Sequence, residues 1–274
     1  MPLLKLRIQG ILKRAGIYQR LKASRVYDLY WSLADPSVVA RVWNEITFYR
    51  NLLSGFQRGC LVFDVGANDG SKTDVFLRLG AWVVAVEPDQ TNQRILKEKF
   101  LTYRLAPRPV VVIGKALSDK DSIETMWIDE PGSAKNTLSI RWVETLRHDD
   151  ERFGCHHVFG QQTMVETTTL DKLIASHGLP FFIKIDVEGY EVSVLRGLHS
   201  KVPYVSFEVN LPEFLPDGLE CVEILHQLAQ TGKFNYVAGD YMHGLVLPQW
   251  LDPIQFSKVL AQCSEKSIEV IWKT

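Results

Sequence analysis

Residues 60–88 read CLVFDVGANDGSKTDVFLRLGAWVVAVEP, and this stretch decides the fold. The apolar run Leu61, Val62, Phe63 ends on Asp64 and passes at once into the glycine-rich turn Gly66-Ala67-Asn68-Asp69-Gly70. A segment of helical character follows, Ser71 to Leu79, and then a second apolar run, Trp82 to Val86, that ends on Glu87-Pro88. The order is strand, tight turn, helix, strand, with a carboxylate at the tip of each strand. Continuous apolarity in both strands predicts a parallel sheet buried on both faces. Glycine at 66 and 70 admits torsions closed to residues with a Cβ and lets the backbone approach a ligand. The helix that follows points unpaired N–H groups and the positive end of its dipole at the same place.

The turn also says which ligand. In dinucleotide-binding units an acid about 20 residues beyond the glycines accepts hydrogen bonds from a ribose hydroxyl, and Glu87 has that spacing. The glycine pattern itself differs. A dinucleotide turn is G-x-G-x-x-G, crowded against a pyrophosphate; this one is D-x-G-x-N-x-G, led by Asp64. A carboxylate there repels a pyrophosphate and suits an ammonium group, directly or through water. S-adenosylmethionine carries an ammonium, a ribose diol and an adenine but no phosphate, so the pattern favours it over NAD(P).

The remaining sequence sets the frame. A chain of 274 residues, 46% hydrophobic and 23% charged, suits one large α/β domain with an appendage. A net charge of −1 gives no global nucleic-acid signature, so no nucleic-acid partner is expected. Cys60, Cys155, Cys221 and Cys263 form no C-x-x-C pair, which argues against a zinc site or a disulfide framework and for a reducing compartment. No run reaches the roughly 18 unbroken apolar residues of a membrane span, and the N-terminus lacks a signal-peptide pattern. The expectation is a cytoplasmic protein.

Residues 1–55 form a helical extension ahead of a catalytic domain over 56–274. Leu4, Ile8, Ile11 and Leu12 recur at helical spacing among Lys5, Arg7, Lys13 and Arg14, and a second helical pattern starts at Pro36 and runs through Val39, Val42, Trp43, Ile46 and Leu53. Two readings stand for this extension: packing on the domain or on a sister subunit of a homo-oligomer, or peripheral docking on an anionic membrane face.

From residue 60 onward strand and helix patterns alternate, with strands ending on Asp186 and Glu208 as well as on Asp64 and Glu87. In open α/β sheets ligands bind beyond the carboxyl ends of the strands, so these four acids should share one rim. Residues 129–160 are polar and glycine-dotted, and read as an irregular loop or lid. The block FFIKIDVEGYEVSVLRGL (181–198) packs Lys184, Asp186, Glu188 and Glu191 into an apolar setting, where charges are rare unless paired or used. A structural ion-pair network and a reacting centre both fit that density.

VFDVGANDG, VVAVEP, ALSD, TTTLDKL, IKIDVEGYEVSVLRG and VSFEVN together resemble the FkbM family of S-adenosylmethionine-dependent methyltransferases, over about residues 60–210. The resemblance implies the seven-stranded, doubly wound, Rossmann-like class I methyltransferase sheet with helices on both faces, in the order 3-2-1-4-5-7-6 with the last strand antiparallel. It implies methyl transfer to a hydroxyl oxygen of a sugar in a polysaccharide, lipopolysaccharide or glycolipid, or of a natural product, leaving S-adenosylhomocysteine. By motif position, Asp64, Gly66, Ala67, Asn68 and Gly70 would line the methionine part, Glu87 and Pro88 the ribose, and Ala116, Leu117 and Ser118 the adenine. Asp186 and Glu188, with Lys184, would stand at the reacting end.

A hydroxyl acceptor needs its proton removed as it attacks, and correct alignment supplies much of the rest. Asp186 and Glu188 lead as general base, Glu208 follows, and His243 in GDYMHG is a weaker candidate. A divalent metal on Asp186, Glu188 and Glu208 is an alternative and is not favoured. Cys155-His156-His157 is declined as a metal site, since adjacent residues rarely reach one ion tetrahedrally. The rivals from other classes are an NAD(P)-dependent Rossmann protein, a nucleotide binder without catalysis, and a nucleic-acid methyltransferase, which would want a basic face with aromatics where the only basic run is the N-terminal helix.

Overall fold

The computed structural model describes residues 36–101, 103, 110–148, 157–239 and 241–274. The basic segment before Pro36, and the membrane reading built on it, lies outside the described residues. The strands are β1 (Leu61–Val65), β2 (Trp82–Val86), β3 (Val110–Ile113), β4 (Ala116–Leu117), β5 (Ile123–Ile128), β6 (Gln161–Thr168), β7 (Phe182–Ile185), β8 (Tyr204–Asn210), β9 (Lys233–Ala238) and β10 (Ser267–Lys273). The helices are α1 (Pro36–Leu52), α2 (Ser71–Leu79), α3 (Gln90–Lys99), α4 (Ile140–His148), α5 (Leu170–His177), α6 (Glu191–Arg196), α7 (Leu215–Leu228) and α8 (Pro253–Ala261).

Seven strands form the main sheet in the order β3-β2-β1-β7-β8-β10-β9. Counting only these strands along the chain, the order is the expected 3-2-1-4-5-7-6. β10 runs antiparallel to both its neighbours, while β1, β2, β3, β7 and β8 pair in parallel. The second, three-stranded sheet β4-β6-β5 is inserted between β3 and α5, around a small core of Ala116, Met126, Ile128 and Val165.

Strand alternation divides the core in two. Phe63, Val65, Ile183, Ile185, Val205 and Phe207 face α5, α6, α7 and α8, while Val62, Phe182, Tyr204 and Ile271 face α1, α2 and α3. The second face changes character along the strands. Its lower row, Val62–Phe182–Tyr204, is apolar, and the row above it is Asp64–Lys184–Ser206. Glu208 and Glu269 then stand directly opposite each other across β8 and β10. Period-two patterning thus brings charges to the carboxyl ends of strands whose lower parts are core.

α1 closes this face. Ile46 and Tyr49 are fully buried, and the Tyr49 ring lies 5.1 Å from Phe76 and 5.6 Å from Phe182, centroid to centroid. No helix among the described residues is long and apolar enough to cross a membrane.

One expectation fails. The span 129–160 is not irregular throughout, because α4 lies within it. Ser139 starts the helix by accepting a hydrogen bond from the Trp142 N–H (3.2 Å), and Trp142, Val143 and Leu146 are fully buried on its inner side. Their anchor is Phe214, in edge contact with Trp142 at 5.6 Å.

Candidate active site

A cleft opens at the carboxyl ends of β1 and β2, spanning about 570 Å³ of space continuous with solvent. Of the residues expected there, Gly66, Asn68, Glu87, Pro88, Ala116, Leu117, Asp186 and Glu188 line it. Glu87 is its most constrained group. One carboxylate oxygen accepts from the Asn68 N–H and the other from the Asp89 N–H, each at 2.8 Å. Burial pushes the Glu87 carboxyl up to about 7, and the two N–H groups hold it back from rising further.

The turn glycines also serve contacts within the protein. Gly66 has φ +79°, and a Cβ there would stand 1.8 Å from the Asp186 carbonyl oxygen. Gly70 has φ +79°, and its Cβ would meet Leu96 and Phe100 at 2.6 Å. The first glycine lets two rim loops touch; the second lets α3 pack under the turn.

Asp64, Ala67, Gly70 and Ser118 stand behind the cleft wall rather than on it. Asp64 is fully buried because alternation turns it toward α2, where its Oδ2 accepts from the Thr73 hydroxyl at 2.5 Å. Its Oδ1 has no hydrogen-bond partner. Burial raises the Asp64 carboxyl and the Lys184 charge opposes this. Ala67 is buried and gives its N–H to the Val86 carbonyl. Ser118 Oγ lies 3.3 Å from the Tyr190 hydroxyl.

The reacting end is an acidic group with two cations set into it. Asp186, Glu188 and Glu208 each offer a carboxylate oxygen within 4.8 Å of the others. Lys184, 3% exposed, donates to Asp186 Oδ2 at 2.7 Å, and Lys135 donates to Glu188 Oε1 at 3.2 Å. Burial works to discharge Lys184, but Asp186, Glu269 and Asp64 outweigh it and hold the ammonium above its ordinary value. Burial likewise works to raise Asp186, yet Lys184 and a hydrogen bond shared with Glu208 bring it below the usual carboxylate range. Glu208 goes the other way, to about 7, through burial and the neighbouring Asp186 charge. Glu188 is raised well above its ordinary value by burial and Glu208, against the pull of Lys135. Glu191 lies under the β7–α6 loop, accepting from Val187 N–H (3.1 Å) and Gly189 N–H (3.3 Å), and burial lifts it to about 8.

A second cavity, of about 600 Å³, meets the first at Asp186 and is lined by Lys184, Glu208, Tyr241, Ser267 and Glu269. His243 is exposed and falls outside it, on a neighbouring trough that shares Tyr241. Cys155 and His156 lie outside the described residues, and the His157 ring nitrogen Nδ1 sits 3.0 Å from Asp129 Oδ2.

The insertion supplies a wall that motif reading missed. Asn136 Nδ2 donates to Asp89 Oδ2 (2.9 Å), and Thr137 Oγ1 donates to the Glu188 carbonyl (2.7 Å). That second bond steadies Glu188, which has the left-handed φ of +56°. Asn92, Met126 and Tyr190 also line the cleft. Asn92 Oδ1 and Glu188 Oε2 are buried on its wall without a hydrogen-bond partner.

The sheet order, the glycine turn and the acid-lined cleft at the strand ends define an α/β enzyme fold of the class I methyltransferase type. The family model described as "Methyltransferase FkbM domain" matches residues 64–233, well over half of the chain, and the chain belongs to that family of methyltransferases. Among solved structures it is similar to the C-terminal domain of precorrin-6Y C5,15-methyltransferase from Rhodobacter capsulatus, at 13% identity and TM-score 0.40, over 81% of this chain and 84% of that one. It is also similar to a TehB-like SAM-dependent methyltransferase from Corynebacterium glutamicum, at 8% identity and TM-score 0.42, over 92% and 100%. A third is the plantazolicin methyltransferase BpumL in complex with SAH, at 9% identity and TM-score 0.40, over 98% and 99%. No curated protein matches the chain in sequence.

Proposed function

We propose that this chain transfers the methyl group of S-adenosylmethionine to a hydroxyl oxygen, on a sugar of a polysaccharide, lipopolysaccharide or glycolipid or on a related natural product. The observation that carries the reading is Asp186, which lines both the donor cleft and the second cavity, with Glu208 beside it in the second.

The cleft suits the donor in kind. Glu87 offers carboxylate oxygens for a ribose diol, and Val86, Pro88, Leu117 and Met126 offer an apolar wall for a flat base. The unpartnered Asn92 Oδ1 is an acceptor for an amino group, and the unpartnered Glu188 Oε2 answers positive charge. When bound, S-adenosylmethionine supplies an electrophilic methyl carbon.

The chain's own residues then have two tasks. Asp186, kept ionised by Lys184, accepts a hydrogen bond from the acceptor hydroxyl and aligns its oxygen, which supplies much of the rate of a displacement. Glu208, poised near neutrality, takes the proton as the oxygen attacks. This ranks Glu208 above Glu188, which lines only the donor cleft and is engaged with Lys135. Lys184 and Lys135 already occupy the cationic positions of the acid group, so the reading uses no metal.

The test is Glu208→Gln, assayed by S-adenosylhomocysteine release and by a mass increment of one CH₂ on glycan or glycolipid acceptors. Turnover should fall about 10²–10⁴-fold with S-adenosylmethionine affinity held within a factor of about two. Wild-type turnover in this variant would remove Glu208 as the base.

A further inference from the structure

The second cavity carries its own chemical information. Its polar lining is Lys184, Asp186, Glu208, Tyr241, Ser267 and Glu269, three carboxylates against one ammonium. Behind it, Lys72 is paired with Glu45 and donates to the Tyr241 hydroxyl (2.7 Å), so it brings its own counter-charge. Each donor side chain of this lining already makes a bond inward. Tyr241 donates to Glu269 Oε2 (2.6 Å), Ser267 donates to Glu208 Oε1 (2.7 Å) and Lys184 donates to Asp186 (2.7 Å). Carboxylate oxygens have about four lone-pair positions, so Glu208, Glu269 and Asp186 retain accepting capacity after these bonds. The cavity therefore asks its occupant to donate hydrogen bonds.

The placement of the acids is costly, which separates it from ordinary surface charge. Glu208 and Glu269 are directly opposite on adjacent strands, where like charges destabilise pairing. Tyr49 and Tyr241 both donate to Glu269, holding its two oxygens in a fixed orientation. Ile185, Val237 and Ile268 supply an apolar floor between the polar groups.

We infer that this cavity selects a neutral, polyhydroxylated acceptor and rejects anionic ones, with Glu269 as the specificity-determining residue beside the Asp186–Glu208 pair. Hydroxyl groups donate to the carboxylates, and the C–H face of a ring meets the apolar floor. The carboxylate of a uronate or the phosphate of an ester adds only acceptors and a charge of the wrong sign. The inference rests on the hydroxyl-acceptor reading above and narrows it.

The experiment uses the full chain, methyl-tritiated S-adenosylmethionine, and a pool of oligosaccharides from polysaccharides of diverse composition. The pool is divided by anion exchange into a neutral fraction and one bearing uronate or phosphate. Label should enter the neutral fraction at least tenfold faster than the anionic one. Equal or faster labelling of the anionic fraction would overturn the selectivity and leave the sugar reading standing. No label in either fraction, with S-adenosylmethionine binding seen by calorimetry, would overturn the sugar reading and the selectivity with it. In Glu269→Gln the preference for neutral sugars should drop at least fivefold while donor affinity stays within twofold. An undiminished preference would show that Glu269 does not set it.

Discussion

Glu87 links acidity to donor binding in a way that gives a measurable slope. The group is almost wholly buried and carries a pKa of about 7 without ligand, yet its task is to accept hydrogen bonds as a carboxylate. At pH 8 it is ionised; at pH 6 about one copy in ten is. Lowering the pH from 8 to 6 should thus weaken S-adenosylmethionine binding about tenfold through this group alone, or ~1.4 kcal/mol. Glu208 titrates in the same range, so the variant Glu87→Gln isolates the effect. Its amide keeps the shape but not the charge, and it can satisfy only one of the two N–H groups of Asn68 and Asp89 with its single oxygen. Loss of a charged hydrogen bond, about 1.5–3 kcal/mol, predicts roughly 10- to 150-fold weaker binding at pH 8. Calorimetry at pH 6, 7 and 8 on both proteins measures this directly. Wild-type affinity in Glu87→Gln at pH 8, or the full wild-type pH slope in that variant, would refute the reasoning.

Three further outcomes follow from the same geometry. Gly66→Ala combines a left-handed backbone with a Cβ 1.8 Å from the Asp186 carbonyl, and should cost about 2–6 kcal/mol; Gly239→Ala, with φ +67° and open space around it, should cost about 1–2 kcal/mol in the same denaturant titration. Glu87, Glu191 and Glu208 bind their protons more tightly folded than unfolded, so ligand-free stability should fall as pH rises from about 4.5 through 7–8. A thermal midpoint at pH 8 equal to or above that at pH 6 would contradict the burial of these acids. Exhaustive chelation should leave turnover unchanged, since Lys184 and Lys135 already pair with Asp186 and Glu188; activity restored only by an added divalent ion would assign that group to a metal.

The glycine turn and Glu87 at the cleft were legible because their determinants are local. The turn from Asp64 to Gly70 and the acid at Glu87 lie within one strand–helix–strand unit, where spacing alone predicts placement. Period-two alternation also foretells that Asp64 shares a face with Val62, and hence looks toward α2 rather than into the cleft, a step the motif reading passed over. The insertion was harder. Its glycines and polar residues suggest a loop, while Trp142, Val143 and Leu146 behind Ser139 carry the helix. Lys135, Asn136 and Thr137 reach Glu188 and Asp89 across about 50 residues of sequence, and no local pattern reports a contact of that range. The opposition of Glu208 and Glu269 depends on the pairing register of β8 with β10, which is a property of the sheet.

The contact between Gly66 and the Asp186 carbonyl has a kinetic consequence. Backbone rests on backbone there, and Asp186 gives its N–H to the Val65 carbonyl at 3.0 Å. In the proposed reaction, the floor beneath the donor and the residue that aligns the acceptor are therefore joined directly, backbone to backbone. For the proposed reaction, exit of the spent thioether is expected past the opposite wall, where residues 132–137 are fastened by separate hydrogen bonds to Asp89 and Glu188. The reacting geometry can stay assembled from one turnover to the next while only the roof is renewed.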